Sequence, residues 1–155
     1  MTALSSRDLA TRGAAATWPE IRQQPEVWRE VARIVQGESA GLSGFLEPLL
    51  ALPDLRIVLT GAGTSAFAGQ VLAPALARVL GRRVEAVATT DIVASPREVF
   101  AEDVPTLLVS FARSGDSPES VAAVELADHL LSDVRHLVVT CNPDGALARR
   151  QGGDD

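Results

Sequence analysis

From residue 55 onward, short unbroken apolar runs alternate with helix-length segments. This alternation constrains the fold more than any other feature of the chain. The runs are Leu55-Arg56-Ile57-Val58-Leu59, Arg83 to Ala88, Thr106-Leu107-Leu108-Val109 and His136 to Cys141. They do not alternate apolar with polar residues, which suits strands covered on both faces. Strand–helix alternation of this kind predicts right-handed βαβ crossovers and a parallel sheet. The expected strands are 55–60, 83–88, 105–110 and 136–141. The expected helices are 64–80, ending at Gly81, then 117–131, and a last one from Ala146 to Arg150. A short helix or turn runs through Phe100. The fold class is α/β: a three-layer, doubly wound parallel sheet of flavodoxin-like type with an N-terminal helix.

Upstream, residues 1–17 are rich in Ala, Ser, Thr and Arg and are expected to be loosely ordered. An N-terminal helical segment, 18–52, follows. Trp18-Pro19-Glu20-Ile21 reads as a short helical turn, with the main helix starting at Gln24-Pro25-Glu26. Its apolar stripe runs from Val27 and Trp28 to Leu49, and Gly37, Gly41 and Gly44 mark a bend. Trp28 and Phe45 read as core anchors. Residues 53–155 form the third segment. The last helix has barely begun when the sequence stops, so this segment is expected to be incomplete after strand four.

The 155 residues are about one domain's worth, and 46% are apolar. Aromatics are only 4%, so Leu, Val and Ala must fill the core. A net charge of -6 argues against a nucleic-acid partner. Cys141 is the one cysteine, which excludes an internal disulfide and a thiolate metal site. No apolar run approaches the ~20 residues of a membrane helix, and residues 1–17 lack the apolar centre of a secretory signal. A soluble cytoplasmic protein with no membrane partner is the default expectation.

Two hydroxyl-rich glycine loops stand where predicted strands meet predicted helices. The first is Thr60-Gly61-Ala62-Gly63-Thr64-Ser65. Gly61 and Gly63 permit a sharp turn and close backbone approach. The unpaired N–H groups and dipole of the next helix favour an anion. Thr64 and Ser65 add hydroxyl donors, with plain helix capping the competing role for one of them. The same residues fit G-x-G-x-x-A, a degenerate dinucleotide fingerprint, with Asp91 as a rough candidate for the ribose acid. The second loop, Ser110-Phe111-Ala112-Arg113-Ser114-Gly115-Asp116-Ser117, shifts the balance. A dinucleotide site does not need a second hydroxyl nest, whereas a phosphomonoester held from two sides does. Pro118 suits a first helical position, and Asp116 or Ser117 is a natural N-cap.

Together these stretches resemble the sugar isomerase (SIS) domain family. The matching residues are Trp18 with Gln24-Pro25 and Trp28, Leu59 to Phe67, Ala88-Thr89-Thr90-Asp91-Ile92-Val93, Ser110 to Gly115, and Thr140-Cys141-Asn142. They are most similar to the tagatose-6-phosphate ketose/aldose isomerase and galactosamine-6-phosphate deaminase/isomerase branch. The resemblance implies a hexose or aminosugar 6-phosphate ligand and an aldose–ketose isomerisation, coupled in this branch to deamination. It implies neither a metal nor an organic cofactor. It matches Ser65, Ser114 and Ser117 to phosphate-binding hydroxyls, and Gly63, Thr64 and Gly115 to loop-shaping positions; Gly61 is a candidate from its place in the first loop. Arg113 stands where a related aminosugar synthase has glutamine and offers a charge-assisted bond. Thr90, Asp91, Ser110 and Asn142 are further candidates.

Enolisation needs a general base near C1 and C2, and the resemblance implies that the catalytic Glu and His of two-domain relatives lie mainly in a second SIS domain. The remaining candidates here are few. His129 is expected to face solvent, and His136 to be structural or exposed. Asp91 and Glu119 are near the strand ends, and Cys141 reads as an inert buried thiol. Three other readings stay open: a phosphosugar sensor, a dinucleotide-binding oxidoreductase domain, and a structural half that only supports a dimer. An uncovered sheet edge and an apolar N-terminal helix predict a homodimer or higher homo-oligomer.

Overall fold

A computed structural model describes residues 6–151 of the chain, in two units, Met1–Glu47 and Pro48–Asp155. The N-terminal unit is helical. It carries α1 (Ser6–Thr11), α2 (Thr17–Gly37) and most of α3 (Ser39–Leu50). The stretch expected to be loosely ordered thus contains a helix over Ser6–Thr11, while residues 1–5 lie outside the described part.

The separate turn at Trp18 is also corrected. α2 begins at Thr17 and passes through Pro25, because Trp18, Ile21 and Trp28 already share its apolar face. Pro19 sits in the first turn, where a missing N–H costs nothing, whereas Pro25 leaves the Ile21 carbonyl without its helical donor. The glycine bend falls at Gly37, where α2 gives way to α3. Trp28 is not a core anchor: it is 65% exposed, as are Val31, Ile34 and Val35 to similar degrees. Phe45 is half-buried.

The second unit holds a four-stranded, all-parallel sheet in the order β2-β1-β3-β4. Its strands are β1 (Arg56–Gly61), β2 (Arg83–Ala86), β3 (Thr106–Ala112) and β4 (Val134–Thr140). Its helices are α4 (Thr64–Leu80), α5 (Thr89–Ala94), α6 (Pro96–Val99), α7 (Pro118–Leu130) and α8 (Ala146–Gln151). Strand two is shorter than expected, but Val87 N–H still donates to Leu59 O at 3.0 Å. α4 ends where the sequence reading placed its stop, with Gly81 left-handed at φ 61° and its N–H on Ala77 O.

Side chains alternate across a strand, and the apolar runs of β1 and β3 feed both faces. Val58 and Leu108, in register, pack with Ile92, Phe100, Ala123, Val124, Ala127, Leu131 and Leu147 under α5–α8. Leu59 faces the other way, against α4. Gly69 of α4 lies so close that a Cβ there would stand 3.1 Å from both the Leu59 Cβ and its carbonyl oxygen. Only β1 and β3 are buried along most of their length; β2 and β4 are half-exposed edges.

The N-terminal end of the sheet is fixed by charge. Arg56, 4% exposed, bonds Glu85 through Nε (2.8 Å) and Nη2 (2.7 Å), and its guanidinium lies 6.0 Å from the Phe100 ring centroid. Burial opposes ionisation of Glu85, but hydrogen bonds from Arg83 and Arg56 outweigh it and hold the carboxyl below its ordinary range.

Candidate functional site

β1 turns towards β2 and β3 towards β4, so the chain diverges between β1 and β3 at the carboxyl ends of the strands. Ligands of open α/β sheets bind at such a divergence. A cleft of about 350 Å³ opens there, lined by Ala62 to Ser65 from the first loop and by Phe111 to Ser114 with Ser117, Glu119 and Ser120 from the second.

The first loop is shaped by its glycines. A Cβ on Gly61 would lie 2.8 Å from the Ser65 backbone carbon and 3.0 Å from Phe111 O, so only glycine lets β1 pass beneath the first turn of α4. Gly63 is the N-cap of α4 at φ 54°, a conformation other residues rarely adopt. It supplies no side-chain cap. Ser65 and Ala66 amides turn back onto Ala62 O and Gly63 O, both at 3.1 Å, whereas the Thr64 amide has no acceptor among the described residues. The hydroxyls of Thr64 and Ser65 likewise have no partner there, so neither is consumed as a cap.

The second loop turns at Gly115, φ 75°. Ser114 Oγ accepts the Asp116 amide at 3.3 Å and keeps its own O–H free to donate. Ser117 occupies the N-cap of α7 without a side-chain capping bond, and Pro118 follows at the start of the helix. The Arg113 guanidinium is exposed and has no partner among the described residues. Asp116 caps as expected, but a different helix: its Oδ1 accepts the Ala146 amide of α8 at 2.9 Å.

Behind this loop stands a brace. Asn142 Nδ2 donates to Ser114 O (2.9 Å), Leu147 N–H to Gly115 O (3.1 Å) and Thr140 Oγ1 to Arg113 O (3.4 Å). Gly145 packs so closely that a Cβ there would stand 2.3 Å from Ser114 O. Asn142 therefore orients the loop from behind, outside the cleft lining.

The cleft thus gathers Gly63, Thr64, Ser65, Arg113, Ser114 and Ser117. Gly61 and Gly115 shape it from beneath. Thr90 and Asp91 are exposed on α5 and Ser110 is buried in β3; none of the three lines the cleft. Sequence reasoning missed Ser120, 4% exposed. Its position three residues after Ser117, on the same helical side, could have flagged it. Phe111 and Ala112 carried no such signal.

His129 is exposed with Nδ1 on Glu125 O (2.6 Å), and His136 Nε2 meets Asp128 Oδ1 at 2.7 Å. Cys141 is corrected: it is exposed, because β4 ends at Thr140 and the thiol falls in the bend beyond. Among the described residues, no group of three or more His, Cys, Asp and Glu side chains is placed to hold a metal ion. None of the helices described is long and apolar enough to cross a membrane.

Comparison with known proteins places this geometry in a family. A Streptomyces coelicolor protein provisionally named D-galactosamine-6-phosphate deaminase AgaS is 69% identical over 136 residues, covering 88% of this chain and 35% of its own. D-galactosamine-6-phosphate deaminase AgaS of Shewanella sp. ANA-3 is 49% identical over 148 residues, covering 94% of this chain and 38% of its own. The crystal structure of tagatose-6-phosphate ketose/aldose isomerase from Escherichia coli superposes with a TM-score of 0.88 at 44% identity, over 100% of this chain and 41% of that one. The chain spans a little over a third of the length of these relatives. The sequence profile of the SIS domain matches residues 50–152, and the chain belongs to the SIS domain family.

Proposed function

We propose that the cleft binds the phosphate of a hexose or aminosugar 6-phosphate, and that the chain is the phosphosugar-binding part of a ketose/aldose isomerase or aminosugar-phosphate deaminase. One observation carries the reading. Hydroxyls whose O–H is free to donate, Thr64 and Ser65 on one side and Ser114 and Ser117 on the other, line a single cleft with Arg113, which has no partner among the described residues. A phosphate dianion offers several acceptor oxygens, and such donors with two helix N-termini satisfy them from opposite sides. The names of the relatives agree with that ligand class.

In this reading Ser65, Ser114 and Ser117 donate to phosphate oxygens, Arg113 adds charge, and Gly61, Gly63 and Gly115 hold the loops apart. The sugar then extends over the strand ends, where proton transfer between C1 and C2 would take place. We also propose a homodimer or larger homo-oligomer in the cytoplasm. The exposed apolar residues Trp28, Val31, Ile34 and Val35 of α2 support self-association.

Titration calorimetry tests the ligand. Galactosamine 6-phosphate and tagatose 6-phosphate are expected to bind, and Ser114→Ala to weaken them roughly tenfold, the loss of one charge-assisted bond. Unphosphorylated galactosamine and NAD are expected not to bind. Binding of NAD with no response to either sugar phosphate would sink the proposal. Light scattering of the purified chain tests assembly, and a sharp monomer at high concentration counts against it.

A further inference from the structure

The cleft holds one side chain that a phosphate site does not call for. Glu119, in the first turn of α7, lines it, half-buried, and has no ion-pair or hydrogen-bond partner among the described residues. Arg113, in the same cleft, does not pair with it. A carboxylate against a phosphate is a like-charge contact that disfavours binding. Ser117 and Glu119 are two residues apart, and side chains at that spacing do not face each other. The carboxylate therefore stands to one side of an anion held at Ser117 and addresses another part of the ligand.

We infer that Glu119 is a specificity-determining residue that selects a sugar phosphate bearing an ammonium group, by pairing with that cation while the hydroxyls and Arg113 hold the phosphate. The inference rests on the phosphosugar reading and names the substrate class within it. The cleft offers one cation, Arg113, and one anion, Glu119, each without a partner among the described residues. A ligand with an anionic and a cationic end complements both, and a neutral sugar hydroxyl leaves the carboxylate without its counter-charge. No covalent step is involved.

The test compares galactosamine 6-phosphate with galactose 6-phosphate, which differ only in the amine, on the purified chain. The wild type is expected to bind the amino sugar about tenfold more tightly, the weight of one charge-assisted bond. That preference should fade as pH rises and the amine becomes neutral. Glu119→Gln should abolish the preference while binding galactose 6-phosphate as well as or better than the wild type, and Glu119→Asp should restore part of it. Thermal melting checks that the variants fold. Equal affinity of the wild type for both sugars overturns the inference, as does an unchanged preference in Glu119→Gln. Failure of both sugar phosphates to bind the wild type overturns the phosphosugar reading and this inference with it.

Discussion

Gly145 offers the sharpest test of how the second loop is held. Its φ is not in the left-handed region, so alanine there carries no backbone penalty and the effect of Gly145→Ala is purely steric. The new Cβ would lie 2.3 Å from Ser114 O, 3.1 Å from Gly115 Cα and 3.2 Å from the Ser114 carbonyl carbon. Carbon and oxygen approach no closer than about 3.3 Å even in attractive contacts. Ser114 or the α8 segment must therefore move by about 1 Å, and the obstructing atoms are backbone. Overpacking of this kind costs about 1–3 kcal/mol, or roughly 3 °C of melting temperature per kcal/mol for a chain of this size. A shift of about 1 Å also stretches a good hydrogen bond from Ser114 beyond its useful range. Losing one such bond to an anion, at about 1.5–3 kcal/mol, weakens binding by roughly ten- to a hundredfold. Gly41→Ala is the control: it sits in α3 with nothing within 4 Å of the new Cβ, and helix propensity alone should stabilise it by up to about 1 kcal/mol. The two substitutions are chemically identical and are expected to move stability in opposite directions. Calorimetry with galactosamine 6-phosphate and thermal melting give both readouts. If Gly145→Ala melts like the wild type and binds within twofold of it, the brace argument is wrong. Asn142→Ala, which removes the bond to Ser114 O without adding bulk, covers the case in which Gly145→Ala does not fold.

Three further outcomes follow from the same geometry. Arg113→Ala should weaken sugar-phosphate binding roughly tenfold and flatten its salt dependence, without changing thermal stability, because the guanidinium has no partner among the described residues. Glu85 is held below its ordinary pKa, so its contribution is present above the unfolded value and is lost as pH falls through the folded one. Acid melting curves of Glu85→Gln should therefore be flatter than the wild type's below about pH 4.5, and the variant should lose about 1–3 kcal/mol at neutral pH as buried Arg56 loses its counter-charge; parallel acid limbs would contradict the assignment. Thr60 is 1% exposed and its Oγ1 has no hydrogen-bond partner among the described residues. Thr60→Val should thus be neutral or stabilising in chemical denaturation, and a loss above about 1 kcal/mol would show that the hydroxyl is satisfied after all.

The sheet was legible because β1 and β3 are buried on both faces and so carry unbroken apolar runs. Strand and helix bounds in this part differ from the sequence reading by only a few residues. The edges were harder. β2 is four residues long and β4 alternates in exposure, so neither the end of strand two nor the exposure of Cys141 follows from a simple apolar run. The N-terminal unit was read least well. Pro25 suggests a helix start, and the apolar periodicity on either side of it suggests one helix; the periodicity prevails in α2. A residue such as Trp28 reads as core from hydrophobicity alone, yet periodicity specifies only that an apolar face exists, not what covers it.

The site divides along the same line. Loop glycines and helix-start hydroxyls act locally, so their roles can be read from a few adjacent residues, and the cleft gathers Gly63, Thr64, Ser65, Ser114 and Ser117. The brace is non-local. Asn142 and Gly145 lie about thirty residues from the loop they hold, and nothing near Ser114 in sequence announces them. Asn142 read as a possible sugar contact because it follows a strand, the usual address of a ligand residue. Its amide is instead committed to Ser114 O. Asp116 shows the converse: its type predicted a cap, but only the fold says that it caps α8 rather than the helix it precedes. Two glycine loops that both carry hydroxyls are therefore held differently, the first by its own glycines and the second by a strand and helix that arrive later in the chain. Substitutions far from the cleft should accordingly disturb Ser114 and Ser117 while leaving Thr64 and Ser65 in place.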